Sequence, residues 1–314
     1  MQTLFIGQTY IDVTFLADHM PQGDEKSVAS EYAVSFGGNA VTAAFCCAKL
    51  GIGPDLIATV ADDWLGRMFL DMAAKYDIRL HGRKVEQSSL SFIMPKDGKR
   101  AIVRCRDDHY LSPYPALELS GCRALHVDGH QPDAALFYAE RCRKAGILTS
   151  LDGGGLRTNT HELLGFIDVA MVAERFCQQM DKTPQQMLDY LKSRGVKIGG
   201  VTQGERGILW YDEGGAARVL AAPAIPASRV RDTSGAGDVF HGAYVFSYLK
   251  NPRQSWEQHF QFAQYAAAYK VQRLGNEAGL PTLDDIAAVE REFGQDGAEP
   301  RPARDRIAAS RRSR

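Results

Sequence analysis

The chain has 314 residues, with 37 Lys and Arg against 38 Asp and Glu and a net charge of −1. That balance gives no reason to expect nucleic acid or an acidic membrane surface as a partner, and no apolar run approaches the ~20 residues of a membrane helix. With 45% apolar and 24% charged residues, the composition is that of a globular protein long enough for one large α/β domain or two smaller ones.

The N-terminal MQTLFIGQTY lacks a basic leader and a signal-type apolar core. It reads as a strand at residues 3–7, which favours the cytoplasm. Residues 12–36 alternate in character without a helix. A helix follows over Asn39–Leu50, stopped by Gly51, then a strand at 55–60 and a helix over Trp64–Tyr76. SSLSFIMPKDGKRAIVRCR (88–106) reads as a β-hairpin about Lys96-Asp97-Gly98-Lys99. Strands at 123–129, 147–152, 169–173 and 197–202 alternate with helices over Pro132–Lys144 and Thr183–Arg194. Buried strands separated by helices predict a three-layer α/β/α core with a mostly parallel sheet. Segments 12–36 and 88–106 predict a small β-sheet lid, suited to covering a site or joining a homodimer. The six cysteines have neither CxxC nor zinc-ligand spacing and read as reduced and structural. Residues 1–293 are expected to form one domain, and the Arg-rich stretch 294–314 a disordered tail.

RDTSGAGDVFHGAY (231–244) is the most unusual stretch. The residues after Asp238 are apolar nearly all round, as in a buried helix, and Asn251-Pro252 ends it. Gly235-Ala236-Gly237 therefore lies at a helix N-terminus, where backbone N–H groups are unpaired and the macrodipole is positive. Glycine lets those groups turn towards a ligand, which makes an anion hole suited to phosphoryl oxygens. Asp238 at its edge is a candidate base for an attacking hydroxyl. On these residues alone, a helix cap and an ordinary turn explain the stretch equally well. The chain has no GxxxxGK[ST] motif, and no GxGxxG follows its first strand.

Asp232-Thr233-Ser234-Gly235-Ala236-Gly237-Asp238 with Gly242 resembles the C-terminal signature of ribokinase-like (PfkB-type) carbohydrate kinases. Ser35-Phe36-Gly37-Gly38-Asn39-Ala40 is similar to the sugar-binding Gly-Gly-Asn segment of that family. VTQGERGILWY (201–211) resembles its nucleotide loop, and LGNEAGLPT (274–282) its closing loop over adenine and a monovalent cation. The resemblance covers roughly residues 3–285.

It implies an ATP-dependent sugar kinase. Asp238 is the implied base, with Gly235, Ala236 and Gly237 as the anion hole. Asp12, Gly38 and Asn39 would bind the sugar, with Asn39 also able to cap its helix. Arg106 or Arg104, and His130 or Gln131, are further substrate candidates. Thr202, Gln203, Gly204, Gly207 and Gly275 would bind nucleotide. Asp232 and Ser234 would face a K⁺. Mg²⁺ would come with ATP, and here the pattern departs. Ala173 and Phe176 stand where many members carry the Asn and Glu of N-x-x-E, leaving Glu174 as the nearby substitute. VTQG and DTSGAGDVFHGA resemble most the branches that include ketohexokinases and sulfofructose kinases, which also lack the strict motif, and this favours a ketohexose-like sugar. A nucleoside or vitamin-precursor alcohol is the alternative acceptor, with Tyr10, Phe15, Phe36 and Phe92 available for stacking. A regulatory paralogue without turnover is the third reading.

Overall fold

The computed structural model describes residues 1–96 and 99–294. Asp97 and Gly98, where the hairpin turn is expected, and residues 295–314, most of the expected tail, lie outside the described residues. The strands are β1 (Thr3–Gly7), β2 (Tyr10–Leu16), β3 (Glu31–Gly37), β4 (Asp55–Val60), β5 (Arg79–Lys84), β6 (Leu90–Lys96), β7 (Lys99–Cys105), β8 (Ala124–Val127), β9 (Leu148–Gly153), β10 (Val169–Ala173), β11 (Ile198–Thr202), β12 (Ile208–Tyr211) and β13 (Arg218–Leu220). The helices are α1 (Asn39–Lys49), α2 (Trp64–Lys75), α3 (Pro132–Lys144), α4 (Thr160–Leu163), α5 (Glu174–Gln179), α6 (Pro184–Ser193), α7 (Ala236–Lys250), α8 (Trp256–Lys270) and α9 (Leu283–Phe293). The four helices given bounds from sequence begin and end within one residue of α1, α2, α3 and α6, and α7 is the buried helix expected to end before Asn251-Pro252.

Among the described residues a nine-stranded sheet runs β13-β12-β11-β10-β9-β8-β1-β4-β5. Its pairs from β11 to β5 are parallel, and β12 and β13 add an antiparallel edge. Both faces are covered. β1 sends Phe5 into one core, with Phe45, Tyr244 and Phe260, and sends Leu4 and Ile6 into the other, with Tyr138 and Leu188. Double-sided burial explains the near-continuous apolar runs that mark these strands in sequence. β5, Arg-Leu-His-Gly-Arg-Lys, lacks such a run and escapes sequence reading; its charges blunt an exposed sheet edge.

A separate sheet, β3-β2-β6-β7, forms the lid. Its strands come from the two segments expected. The core is a three-layer α/β/α arrangement, with helices on both faces of the nine-stranded sheet. No helix among the described residues is long and apolar enough to cross a membrane. All six thiols are free, and only Cys105 is exposed.

α7 packs on α1 through Gly242. A Cβ there would lie 2.3 Å from the Ala43 carbonyl oxygen and 2.8 Å from the Cys46 Cβ. Gly242→Val therefore forces the two helices apart, at a cost of about 1–3 kcal/mol. A lower urea midpoint with an unchanged m-value is the expected result.

Candidate active site

Polar residues gather at the carboxyl ends of the parallel strands, where the crevice of an open α/β sheet lies. Asp128 follows β8, Asp152 stands at the end of β9, Glu174 follows β10, and Thr202 ends β11.

α7 opens on Gly235, whose φ of 72° suits glycine. A Cβ there would also meet the Asn276 Oδ1 at 2.2 Å. The first α7 hydrogen bond runs from Val239 N–H to the Gly235 carbonyl. The amides of Ala236, Gly237 and Asp238 come before it and have no acceptor within the helix. Gly237 is exposed, with nothing within 4 Å of a built Cβ, so this end of the helix is open to a ligand.

Asp238 is half-buried. Burial and the neighbouring Asp152 raise its carboxyl pKa, and Arg100 and Arg104 oppose them. Burial likewise raises Asp152, which accepts a 3.2 Å hydrogen bond from Asn39 Nδ2 and lies 3.6 Å from His241 Nε2. His241 shares one face of α7 with Asp238 and Tyr244, at i+3 spacing. Beneath them, Tyr244 joins His241 Nδ1 at 2.9 Å and Ser150 Oγ at 2.6 Å, and Ser150 reaches His126 Nδ1 at 2.9 Å. Burial holds both imidazoles below their ordinary range, His241 down to about 3. They are neutral and do not offset the carboxylates.

The lid lays Asp12 over this crevice. In register, Asp12 stands beside Ser35 and Ser91, and Ser91 beside Arg104. Burial raises the Asp12 carboxyl, and its Oδ1 is buried without a partner. A Cβ on Gly37 would lie 2.2 Å from Asp12 Oδ2, and one on Gly38, at φ 101°, 1.9 Å from the Gln8 carbonyl oxygen. The Gly-Gly pair is thus required by close approach as well as by backbone conformation. Gly38, not Asn39, is the N-cap of α1, and Asn39 makes no cap hydrogen bond.

Several expected residues are placed differently. Arg106 lies beyond β7 and pairs with Asp108 at 3.0 Å. Arg104 is the arginine whose charge reaches Asp12 and Asp238. His130 is buried, with Nδ1 3.1 Å from Asp128 Oδ1. Gln131 donates to the Gly7 carbonyl at 2.6 Å and is structural. Of the nucleotide-loop residues, Gly204 faces open space, whereas a Cβ on Gly207 would lie 2.1 Å from the Leu220 carbonyl oxygen. Thr202 and Gln203 lead into this loop, and Gln203 N–H donates to the Gly207 carbonyl.

Glu174 opens α5 beside Gln203 and pairs with Arg206. Phe176 is buried in the second core, which explains its apolar character. One carboxylate held by a guanidinium is not a metal cage. Alone it would not hold an Mg²⁺, which would need most of its oxygen ligands from elsewhere.

Asp232 and Ser234 are both buried. Asp232 Oδ1 accepts from Ser234 N–H at 2.8 Å; Oδ2 accepts from Gly275 N–H at 3.0 Å and Lys270 Nζ at 2.9 Å. The Gly275 amide is therefore spent on Asp232 rather than offered to a nucleotide. A K⁺ does not fit here while the ammonium is in place.

Three residues were missed in sequence. Lys270 is one. Asn276 donates from Nδ2 to Asp12 Oδ2 at 3.0 Å and to the Phe36 carbonyl at 2.9 Å. Arg100 reaches from the lid to the Thr233 carbonyl at 3.2 Å.

A family model described as the pfkB family carbohydrate kinases matches residues 2–283. The chain belongs to the PfkB family. Within that family, a ribokinase of Lactococcus lactis is 23% identical over 297 residues, covering 92% of this chain and 96% of its own. A nucleoside kinase of Methanothermobacter thermautotrophicus is 22% identical over 320 residues, covering 95% and 97%. Among solved structures, Arabidopsis thaliana ribokinase complexed with ribose and ATP superposes with a TM-score of 0.77 at 22% identity, covering 92% of this chain and 98% of its own.

Asn276→Ala leaves the buried Asp12 Oδ2 unpaired and removes a link between lid and core. The expected cost is about 1–3 kcal/mol in urea unfolding. An unchanged midpoint would show that the link carries no stability.

Proposed function

We propose that the protein transfers the γ-phosphoryl group of ATP to a primary hydroxyl of a small sugar, with a ketohexose-like sugar favoured. The observation that carries this is Asp238, a carboxylate of raised pKa at the mouth of an open helix N-terminus and under the Asp12 lid.

In this reading Asp12 and Asn39 hold the sugar hydroxyls, and Arg104 takes the role expected of Arg106. Asp238 accepts the hydroxyl proton. The sugar oxygen then forms its bond to the γ-phosphorus, and the bond from that phosphorus to the β–γ bridging oxygen breaks, releasing ADP. The amides of residues 236–238 offset charge on the transferring phosphoryl oxygens. Thr202, Gln203 and Gly204 border the nucleotide. Mg²⁺ arriving with ATP would supply counter-charge to the phosphates, and Glu174, paired with Arg206 here, would be the carboxylate to face its waters.

A nucleoside acceptor is the second reading, supported by likeness to a nucleoside kinase. The aromatic residues favour the sugar. Phe36 is stacked on Phe45 in the core at 3.6 Å, and Tyr10 is buried. Phe15 and Phe92, 5.7 Å apart, lie on the lid face opposite Asp12 by strand alternation. That opposite face also carries Tyr32 and Val103, 71% and 62% exposed, which supports a lid-mediated homodimer. Sedimentation velocity should give a dimer that Val103→Asp shifts to monomer; a wild-type monomer at micromolar concentration would refute it.

The central test is ADP release against a panel of ketohexoses, pentoses and nucleosides. A sugar should be preferred, and Asp238→Asn should lower kcat by about 10²–10⁴ while the circular dichroism spectrum stays unchanged. Asp238 is faced by Asp152 from β9, Asp12 from β2, Arg100 and Arg104 from β7, and Lys270 from α8. Its base form is lost as pH falls through a raised pKa. The acid limb of kcat/KM should therefore lie above the ordinary carboxylate range, and Asp152→Asn should move it to lower pH. An acid limb that Asp152→Asn leaves in place would count against Asp238 as the base.

A further inference from the structure

We infer that the ammonium of Lys270 is a built-in replacement for a monovalent cation behind the anion hole, so that turnover needs no K⁺. Its Nζ is surrounded by oxygen. Asp232 Oδ2 lies at 2.9 Å, the Asp232 carbonyl at 3.1 Å and the Arg273 carbonyl at 3.5 Å. One carboxylate and two carbonyls are the hard oxygen donors that an alkali cation takes. Here the cation is tethered to the chain. Both Lys270 and Asp232 are almost wholly buried, away from bulk solvent.

The surroundings are shaped for this side chain. Lys270 is the last residue of α8, where the helix dipole favours a positive charge. A Cβ on Gly279 would lie 2.7 Å from Lys270 Cγ and 3.1 Å from Cε, so that glycine makes room for the stem. A Cβ on Gly235, the cap of α7, would lie 3.7 Å from Cε. The ammonium thus stands directly behind the turn that opens the anion hole. Burial alone would raise the Asp232 carboxyl, yet Lys270 and the hydrogen bonds outweigh it and hold it below its ordinary range. Lys270 touches no reacting atom. It is a positioning residue, fixing Asp232 and through it Ser234 and Gly275.

The kinase reading underlies the turnover arm of the test, while the melting arm stands without it. Wild-type protein is assayed for melting temperature and ADP release in KCl and in tetramethylammonium chloride at equal ionic strength. Both readouts should be the same in the two salts. Lys270→Met keeps the length of the stem to Cε, with sulfur in place of Cδ, and deletes the ammonium. In tetramethylammonium it should melt lower by roughly 5–10 °C, the scale expected for a broken buried ion pair, and turn over more slowly. K⁺ and NH₄⁺ should restore most of both losses, which a merely structural lysine would not allow. The proposal is overturned by K⁺ activation or K⁺ stabilisation of the wild type. It is equally overturned if Lys270→Met, folded or unfolded, responds no differently to K⁺ than to tetramethylammonium. Loss of turnover in every protein and salt, with the melting pattern as expected, overturns the kinase reading and leaves the cation role standing.

Discussion

The buried carboxylate of Asp232 is the constraint on which the rest of the site depends. It accepts hydrogen bonds from Ser234, Gly275 and Lys270, which come from the turn before α7, the loop after α8 and the end of α8. Burying such a charge costs several kcal/mol unless it is paired and its lone pairs are filled. Here both conditions are met. The three donors also fix where the chain must turn, so that Gly235 can take its left-handed conformation and α7 can begin with its first amides free. A looser anchor would leave the same residues present and the opening turn of α7 undefined.

A second constraint joins the two sheets. Asp12 belongs to the lid and Asp238 to the core, and the strands of the two sheets are not hydrogen-bonded to one another. Asn276 bonds Asp12 and the Phe36 carbonyl from a loop whose neighbouring residue holds Asp232. Arg100 reaches from the lid to Thr233. The same short stretch of chain therefore locates both ends of the crevice. The carboxylates there, Asp12, Asp152 and Asp238, all have raised pKa values because burial outweighs the arginines.

Much of this was legible in the sequence because it rests on local patterns. Double-sided strands, capped helices and a β-hairpin each carry a period or a turn residue of their own. The Gly-Gly-Asn and Gly-Ala-Gly-Asp stretches announced themselves for the same reason. What stayed hidden depends on partners far apart in the chain. Lys270 lies 38 residues from Asp232 and Asn276 lies 264 from Asp12. Nothing near Lys270 in sequence tells that it turns inward, since a lysine at a helix end is ordinarily solvated. The choice between Arg104 and Arg106 turned on where β7 stops, and strand ends are weakly encoded. Asn39 looked like a cap, but Gly38 holds that position.

The glycines have a consequence for what a signature can say. Gly37 and Gly38 are glycine because Asp12 and the Gln8 carbonyl stand where a Cβ would be, and Gly242 because α1 lies against it. Gly235 is glycine because of its φ and of Asn276. Each of these positions records the path of the backbone. None records the shape of a ligand. A motif built from them carries full information about the scaffold and almost none about the cargo, so the substrate must be written in side chains that no short pattern contains.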